Sequence, residues 1–146
     1  MQTVFDILRR KGSRVVTIDP EVSVFDAIRR MVENNVGSIV VVRGTDIVGI
    51  FTERDYLRRI VLDGRTSRET PVSEVMTADV IYVDPTQDIK QCLAIMTEKK
   101  IRHLPVMDER ELVGVISIGD CVKELSRGAE ANVRYLTDYI TGRYPA

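Results

Sequence analysis

The sequence predicts a mixed α/β (α+β) chain made of two copies of one βαββα unit. Residues 15–57, VVTIDPEVSVFDAIRRMVENNVGSIVVVRGTDIVGIFTERDYL, fall without a gap on residues 80–122, VIYVDPTQDIKQCLAIMTEKKIRHLPVMDERELVGVISIGDCV, at an offset of 65. Each copy carries Asp-Pro, then apolar residues at helical spacing, then two β-branched runs separated by a short polar turn. A long period present only twice marks a duplicated supersecondary unit and not a solenoid.

Within each copy the elements follow in a fixed order. A short strand, Val15 to Ile18 or Val80 to Val83, is broken by Asp19-Pro20 or Asp84-Pro85. Ser23 with Asp26, and Asp88 with Gln91, stand where a capping box starts a helix. The first helix is apolar at Val24, Ala27, Ile28, Met31 and Val32, its counterpart at Ile89, Cys92, Leu93 and Met96. Antiparallel hairpins follow, Ser38 to Val42 with Ile47 to Phe51, and His103 to Met107 with Leu112 to Ser117. Pro105 cannot donate to a ladder, so a free edge is expected there. A second helix closes each unit, beginning near Glu53 and Gly119. Upstream, VFDIL (4–8) matches VSEVM (72–76) after a three-residue slip. A three-stranded sheet with helices on one face leaves an apolar side bare, so the copies are expected to pack sheet to sheet about a pseudo-two-fold axis. Val133, Leu136 and Ile140 predict a terminal helix.

Composition narrows the function classes. The 146 residues are 44% hydrophobic and 29% charged, with a formal net charge of −1. No global positive field draws in nucleic acid or an anionic membrane. No apolar run approaches the roughly 18 residues of a membrane span, and the first residues read as a mature helix and not as a signal peptide. Cys92 and Cys121 lack metal-ligand spacing and read as packed, reduced thiols of a cytoplasmic protein. A single histidine, with no phosphate loop, dinucleotide fingerprint or nucleophile elbow, assembles no catalytic constellation. No enzyme activity, catalytic cofactor or metal is expected.

Candidate function concentrates where the last strand of each copy enters its helix. GIFTERD (49–55) and GVISIGD (114–120) both fit the [ST]-x-x-D helix start. Thr52 with Asp55, and Ser117 with Asp120, are readable as plain capping boxes. The same geometry offers helix N–H groups to an anion and a carboxylate to two vicinal ribose hydroxyls. Arg102-His103, opposite Gly37-Ser38 in the other copy, reads either as solvated surface or as a phosphate reader.

The order DPxxSVxDA (19–27), G-h-h-[ST]-x-x-D twice, and IRHLPV (101–106) resembles the cystathionine-β-synthase (CBS) domain, and two copies in one chain resemble a CBS pair, or Bateman module. The resemblance covers about residues 8 to 128, and FTERDY (51–56) is similar to stand-alone bacterial and archaeal members. It implies domains at 8–68 and 73–130, with 131–146 a terminal helix and tail. It implies a regulatory module that binds adenine nucleotides (AMP, ADP, ATP, NAD(H) or adenosyl compounds) in clefts between the halves, and a homodimer. Carried over, Asp55 and Asp120 hold ribose. Thr52 and Ser117 bond ribose or phosphate, and Arg54, Arg102 and His103 meet phosphate. The surroundings of Ser13 to Val15 and Thr77 to Val80 line the base. Lys11, Gly37, Ser38 and Pro105 complete the expected site, with Gly37-Ser38 lacking the charge of Arg102-His103. The other reading is a ligand-free interaction module that regulates a separate enzyme or transporter. DNA binding is disfavoured by the acidic balance.

Overall fold

The computed structural model describes residues 1–128, so the expected helix through Val133, Leu136 and Ile140 lies outside the described residues. Elements run α1 (Val4–Lys11), β1 (Thr17–Ile18), α2 (Val24–Glu33), β2 (Ser38–Arg43), β3 (Asp46–Thr52), α3 (Glu53–Tyr56), α4 (Ile89–Lys99), β4 (His103–Asp108), β5 (Glu111–Ser117) and α5 (Ile118–Gly128). A π-helical stretch, Leu57–Val61, continues α3, and a single 3-10 turn spans Val72–Glu74. Among the described residues no helix is long and apolar enough to cross a membrane.

The chain forms two compact units that cross over in sequence. One is Val15–Val80; the other joins Met1–Arg14 to the chain from Ile81 onward. Each has its own core. Ile18, Val24, Ile39, Val41, Phe51 and Val72 anchor the first, and Val4, Ile89, Met96, Leu104, Val106 and Ile116 the second. Burying each such side chain is worth about 1.5–3 kcal/mol. Cys92 and Cys121 are buried in the second core as free thiols, as the sequence suggests. Burial pushes the Cys92 thiol up to about 11 and the Cys121 thiol higher still, so both stay protonated and unreactive at neutral pH.

The three-residue slip upstream of the repeats has a structural meaning. In one unit Val4 N–H donates to Gln87 O (3.0 Å), Phe5 N–H to Pro85 O (2.9 Å) and Ile89 N–H to Gln2 O (3.1 Å). In the other, Val72 N–H donates to Val22 O (2.8 Å), Ser73 N–H to Pro20 O (3.0 Å) and Val24 N–H to Thr70 O (2.8 Å). These are the same three bonds in equivalent positions. The segment before the first repeat docks on the second, and the segment before the second docks on the first. Each delivers one side chain onto a hairpin glycine. A Cβ on Gly114 would stand 2.5 Å from Leu8 Cδ2; one on Gly49 would overlap the Met76 thioether and meet Thr77 O at 3.0 Å.

Both hairpins also share a bulge. β2 and β3 pair Val41 with Gly49 but Val42 with Ile47, and β4 and β5 pair Val106 with Gly114 but Met107 with Leu112. Val48 and Val113 are therefore the extra residues, which bends each hairpin at its glycine.

Three expectations need correction. The strand Val80 to Val83 shrinks to one parallel bridge, Val83 with Val106, whereas its counterpart forms β1, itself only Thr17–Ile18. In the first repeat Val40 N–H donates to Val16 O (3.3 Å); the equivalent of Val40 is Pro105, which has no N–H. Nor is the edge at Pro105 free, because its carbonyl accepts from Val83 N–H (3.0 Å). The capping boxes at Ser23 and Asp88 are incomplete: Asp26 N–H donates to Ser23 Oγ (3.2 Å), but the Asp26 carboxylate pairs with Arg29. Asp88 accepts from Lys90 N–H (2.9 Å), while Gln91 takes a bond from Gln87. Pro105→Val restores the missing donor, so the new amide at 105 should show slowed hydrogen exchange and pairing toward Ile81. An amide at 105 that exchanges like an exposed loop would contradict this account.

Candidate functional site

The two strand-to-helix corners are built alike. β3 ends at Thr52 and α3 starts at Glu53; β5 ends at Ser117 and α5 starts at Ile118. Asp55 N–H donates to Thr52 Oγ (3.2 Å) and Thr52 N–H returns to Asp55 Oδ2 (3.0 Å). Asp120 N–H donates to Ser117 Oγ (3.1 Å) and Ser117 N–H to Asp120 Oδ2 (2.9 Å). The capping-box reading is therefore correct in both copies, and it fixes each carboxylate against the first turn of its helix. Gly37 and Arg102 stand beside these corners through one further shared bond, from Glu53 N–H to Gly37 O (3.2 Å) and from Ile118 N–H to Arg102 O (3.0 Å). Ser38 pairs directly with Thr52, and His103 with Ser117, across their hairpins.

The carboxylates differ in what else they touch. Asp55 is 8% exposed. It accepts from the Thr52 hydroxyl (3.2 Å to Oδ2) and from the Thr77 hydroxyl (3.2 Å to Oδ1, 3.5 Å to Oδ2), with Arg59 Nε 4.0 Å away. Asp120 is more open and carries an ion pair. Lys11 Nζ, at the end of α1, lies 2.7 Å from Asp120 Oδ2 and also donates to Val115 O (2.7 Å). A neutral hydroxyl thus covers one carboxylate and an ammonium the other.

Among the expected residues, Lys11, Ser117 and Asp120 are brought together in one unit, and Thr52, Asp55 and Thr77 in the other. Arg54 is the neighbour of Asp55 on α3, and Pro105 is buried in β4. Ser13 is exposed in the loop after α1, and none of the hydrogen bonds among the described residues ties Ser13, Val15 or Val80 to either carboxylate. Sequence reasoning missed one pair of positions. Arg59 donates to Val75 O (3.1 Å) and Met76 O (2.9 Å). Its repeat equivalent is Glu124, which is buried and paired with Arg10 (3.0 Å) and Arg127 (3.7 Å). Carrying the 65-residue alignment two residues past its end at 57 and 122 brings these opposite charges face to face. Arg10, Lys11, Lys123 and Arg127 line an open depression of about 190 Å³ over Asp120 and Glu124. That is below the roughly 300 Å³ at which small-molecule sites begin.

Burial, assisted by the Lys11 ammonium, pushes the His103 imidazole down to about 4, against a smaller upward pull from Asp120. His103 is therefore neutral at pH 7, and the Lys11 ammonium supplies the positive charge beside Asp120. An unfolded histidine titrates near 6.5. Between these values the unfolded chain binds a proton that the folded chain refuses, so the stability His103 confers is complete above about pH 6.5 and lost as pH falls toward 4. Its size is of order 3 kcal/mol at most. In His103→Gln the decline in unfolding free energy from pH 6.5 to 4 should be shallower than in the parent. Parallel curves would contradict the assignment.

Comparison with known proteins agrees with this architecture. The family model for the CBS domain matches residues 3–62 and 72–127. A mitochondrial CBS domain-containing protein of Arabidopsis thaliana, CBSX3, is 34% identical over 151 residues, covering 97% of this chain and 73% of that protein. A Burkholderia ambifaria protein with CBS domains has a similar solved structure, with TM-score 0.84 and 46% identity over 88% of this chain and 96% of its own. The CBS domain pair of protein MJ0100, solved with 5′-methylthioadenosine and S-adenosyl-L-methionine, shares the fold at TM-score 0.75 and 23% identity, over 88% of this chain and 98% of that one. With two matched copies that take in nearly all of its described residues, this chain belongs to the CBS domain family.

Proposed function

We propose that the chain is a regulatory ligand-sensing module, not an enzyme, and that it binds an adenine nucleotide or adenosyl compound. The ribose hydroxyls are held by Asp55 or Asp120. The observation that carries this reading is the repeated corner, a carboxylate fixed at a helix N-terminus by its own capping box. A fixed carboxylate accepts from two vicinal hydroxyls, and the positive end of the helix dipole favours a phosphate. Thr52 and Ser117 serve ribose or phosphate; Arg54, Arg102 and His103 serve phosphate. Ser13, Val15, Thr77 and Val80 line the base. The adenosyl ligands of the MJ0100 pair support the ligand class.

A second reading has its own observation. Leu57, Val61 and Leu62 are exposed on and just after the π-helical stretch, while on α5 Leu125 is buried and Val122 half-buried. Of the two second helices, the one in the unit containing residues 15–80 therefore offers the exposed apolar face among the described residues. Such a patch suits association, by default as a two-fold homodimer, or docking of a regulated enzyme or transporter. We place this activity in the cytoplasm, where thiols such as Cys92 and Cys121 stay reduced.

Small molecules released from the heat-denatured purified protein should include an adenine compound by ultraviolet spectrum and mass. Added adenine nucleotide at one hundred times its Kd should stabilise the fold by about 2.7 kcal/mol. A ligand-free preparation whose melting no adenine compound shifts would leave the interaction-module reading in its place. Asp120→Asn should change stability by no more than about 1 kcal/mol. At that site it should weaken ribose binding tenfold to a hundredfold, the roughly 1.5–3 kcal/mol scale of charge-assisted hydrogen bonds. Unaltered affinity would leave Asp120 as a cap alone.

A further inference from the structure

Six residues lie between Leu8 and Val15, but only three between Met76 and Val80. In the unit containing residues 15–80, Thr77 follows Met76 as an extended residue and bridges the outer edge of β3. Ile50 N–H donates to Thr77 O and Thr77 N–H to Ile50 O, both at 2.9 Å. In the other unit the extra residues instead prolong α1 through Arg9, Arg10 and Lys11, and no such bridge to β5 forms among the described residues. The repeat equivalent of Ile50 is Val115. Its partner across the hairpin, Pro105, turns its carbonyl away from β5 to Val83 N–H (3.0 Å), so the Val115 N–H and C=O point away from β4. The Val115 carbonyl accepts from the Lys11 ammonium (2.7 Å) and keeps a second lone pair. The Val115 N–H meets no acceptor among the described residues. A half-filled ladder position of this kind accepts an extended backbone.

The extra turn of α1 also makes the surroundings of this edge basic. Lys11 joins the edge to the open depression of about 190 Å³, whose other cations are Arg10, Lys123 and Arg127. Its two carboxylates are already taken, Asp120 by Lys11 and Glu124 by Arg10 and Arg127. Lys123 is exposed and forms no ion pair among the described residues. The depression therefore carries surplus positive charge over the buried Ile7, in a space suited to one side chain.

We infer that the outer edge of β5 and the basic depression beside it form a docking surface for an extended, acidic peptide segment of a partner protein. Its backbone pairs with Val115 as Thr77 pairs with Ile50, and a carboxylate side chain meets Lys123. The free N–H and the charge select this occupant together. Nucleic acid and anionic membranes bring negative charge without an extended amide backbone, and a helix has spent its amides on its own bonds. The inference goes beyond the nucleotide reading and does not rest on it.

The test titrates the full chain against a fluorescent peptide of alternating Glu and Val, read by anisotropy. This peptide should bind at least about tenfold more tightly than one of alternating Lys and Val, with a preference that shrinks as salt rises. Two further versions, N-methylated on the Glu amides or on the Val amides, keep the charge and block one backbone edge each. Strand pairing uses a single edge, so one version should bind about tenfold or more weakly than the other. Binding of the parent peptide should slow hydrogen exchange at the Val115 amide. Lys123→Glu should lower affinity about tenfold while the protein keeps a cooperative melt, and Lys123→Arg should retain it. Equal binding of the acidic and basic peptides, equal binding of the two methylated versions, or unaltered exchange at Val115 would overturn the inference. So would no binding at millimolar peptide, or tighter binding to phosphatidylserine vesicles or single-stranded DNA than to the peptide.

Discussion

The backbone of the segment before each repeat is held by three hydrogen bonds to the other repeat's Asp-Pro turn and helix start, and its last apolar side chain rests on a hairpin glycine. Much of the remaining structure depends on that docking. It explains why Val4 and Val72 are fully buried although each lies outside the 43 residues that repeat without a gap. It explains the glycines, since any Cβ at 49 or 114 would meet Met76 or Leu8. It also explains the bulges at Val48 and Val113, which bend each hairpin where the incoming side chain lies. And it makes one compact unit out of the two ends of the described chain.

The same docking distinguishes the two sites, because the residues that come after the docked segment differ between copies. After Leu8, α1 continues through Arg10 and Lys11, which reach Glu124 and Asp120 of α5. After Met76 comes Thr77, which bonds Asp55 directly. The capping boxes are equivalent, so the difference in charge comes from these few residues, from the exchange of Arg59 for Glu124 and from that of Gly37 for Arg102. A duplicated fold has thereby acquired two unlike electrostatic environments without any change to its backbone corners.

Much of this was legible in the sequence, for identifiable reasons. The gapless offset exposed the repeat, and local chemistry marked the hairpins and the [ST]-x-x-D corners, because turn and cap preferences are short-range. Tertiary pairing was less visible. Thr77 is a candidate through family resemblance and Lys11 as a cation near a helix end, and no local pattern shows that they reach Asp55 and Asp120 across 22 and 109 residues. The loss of a strand at Val80 to Val83 follows from one missing N–H at Pro105, which a propensity reading of Val-Ile-Tyr-Val does not weigh. The π-helical stretch at Leu57–Val61 has no signal in its residues.

The central claim is that the Leu8 side chain fills the space above Gly114 and so fixes α1 on the second repeat. A double-mutant cycle measures that contact directly. Gly114→Ala should destabilise the protein by about 1–3 kcal/mol, the cost of overpacking. In a Leu8→Ala background the same change should be close to neutral, giving a coupling energy of at least about 1 kcal/mol by urea unfolding. Additive costs, with Gly114→Ala equally harmful whether or not Leu8 is present, would contradict the account.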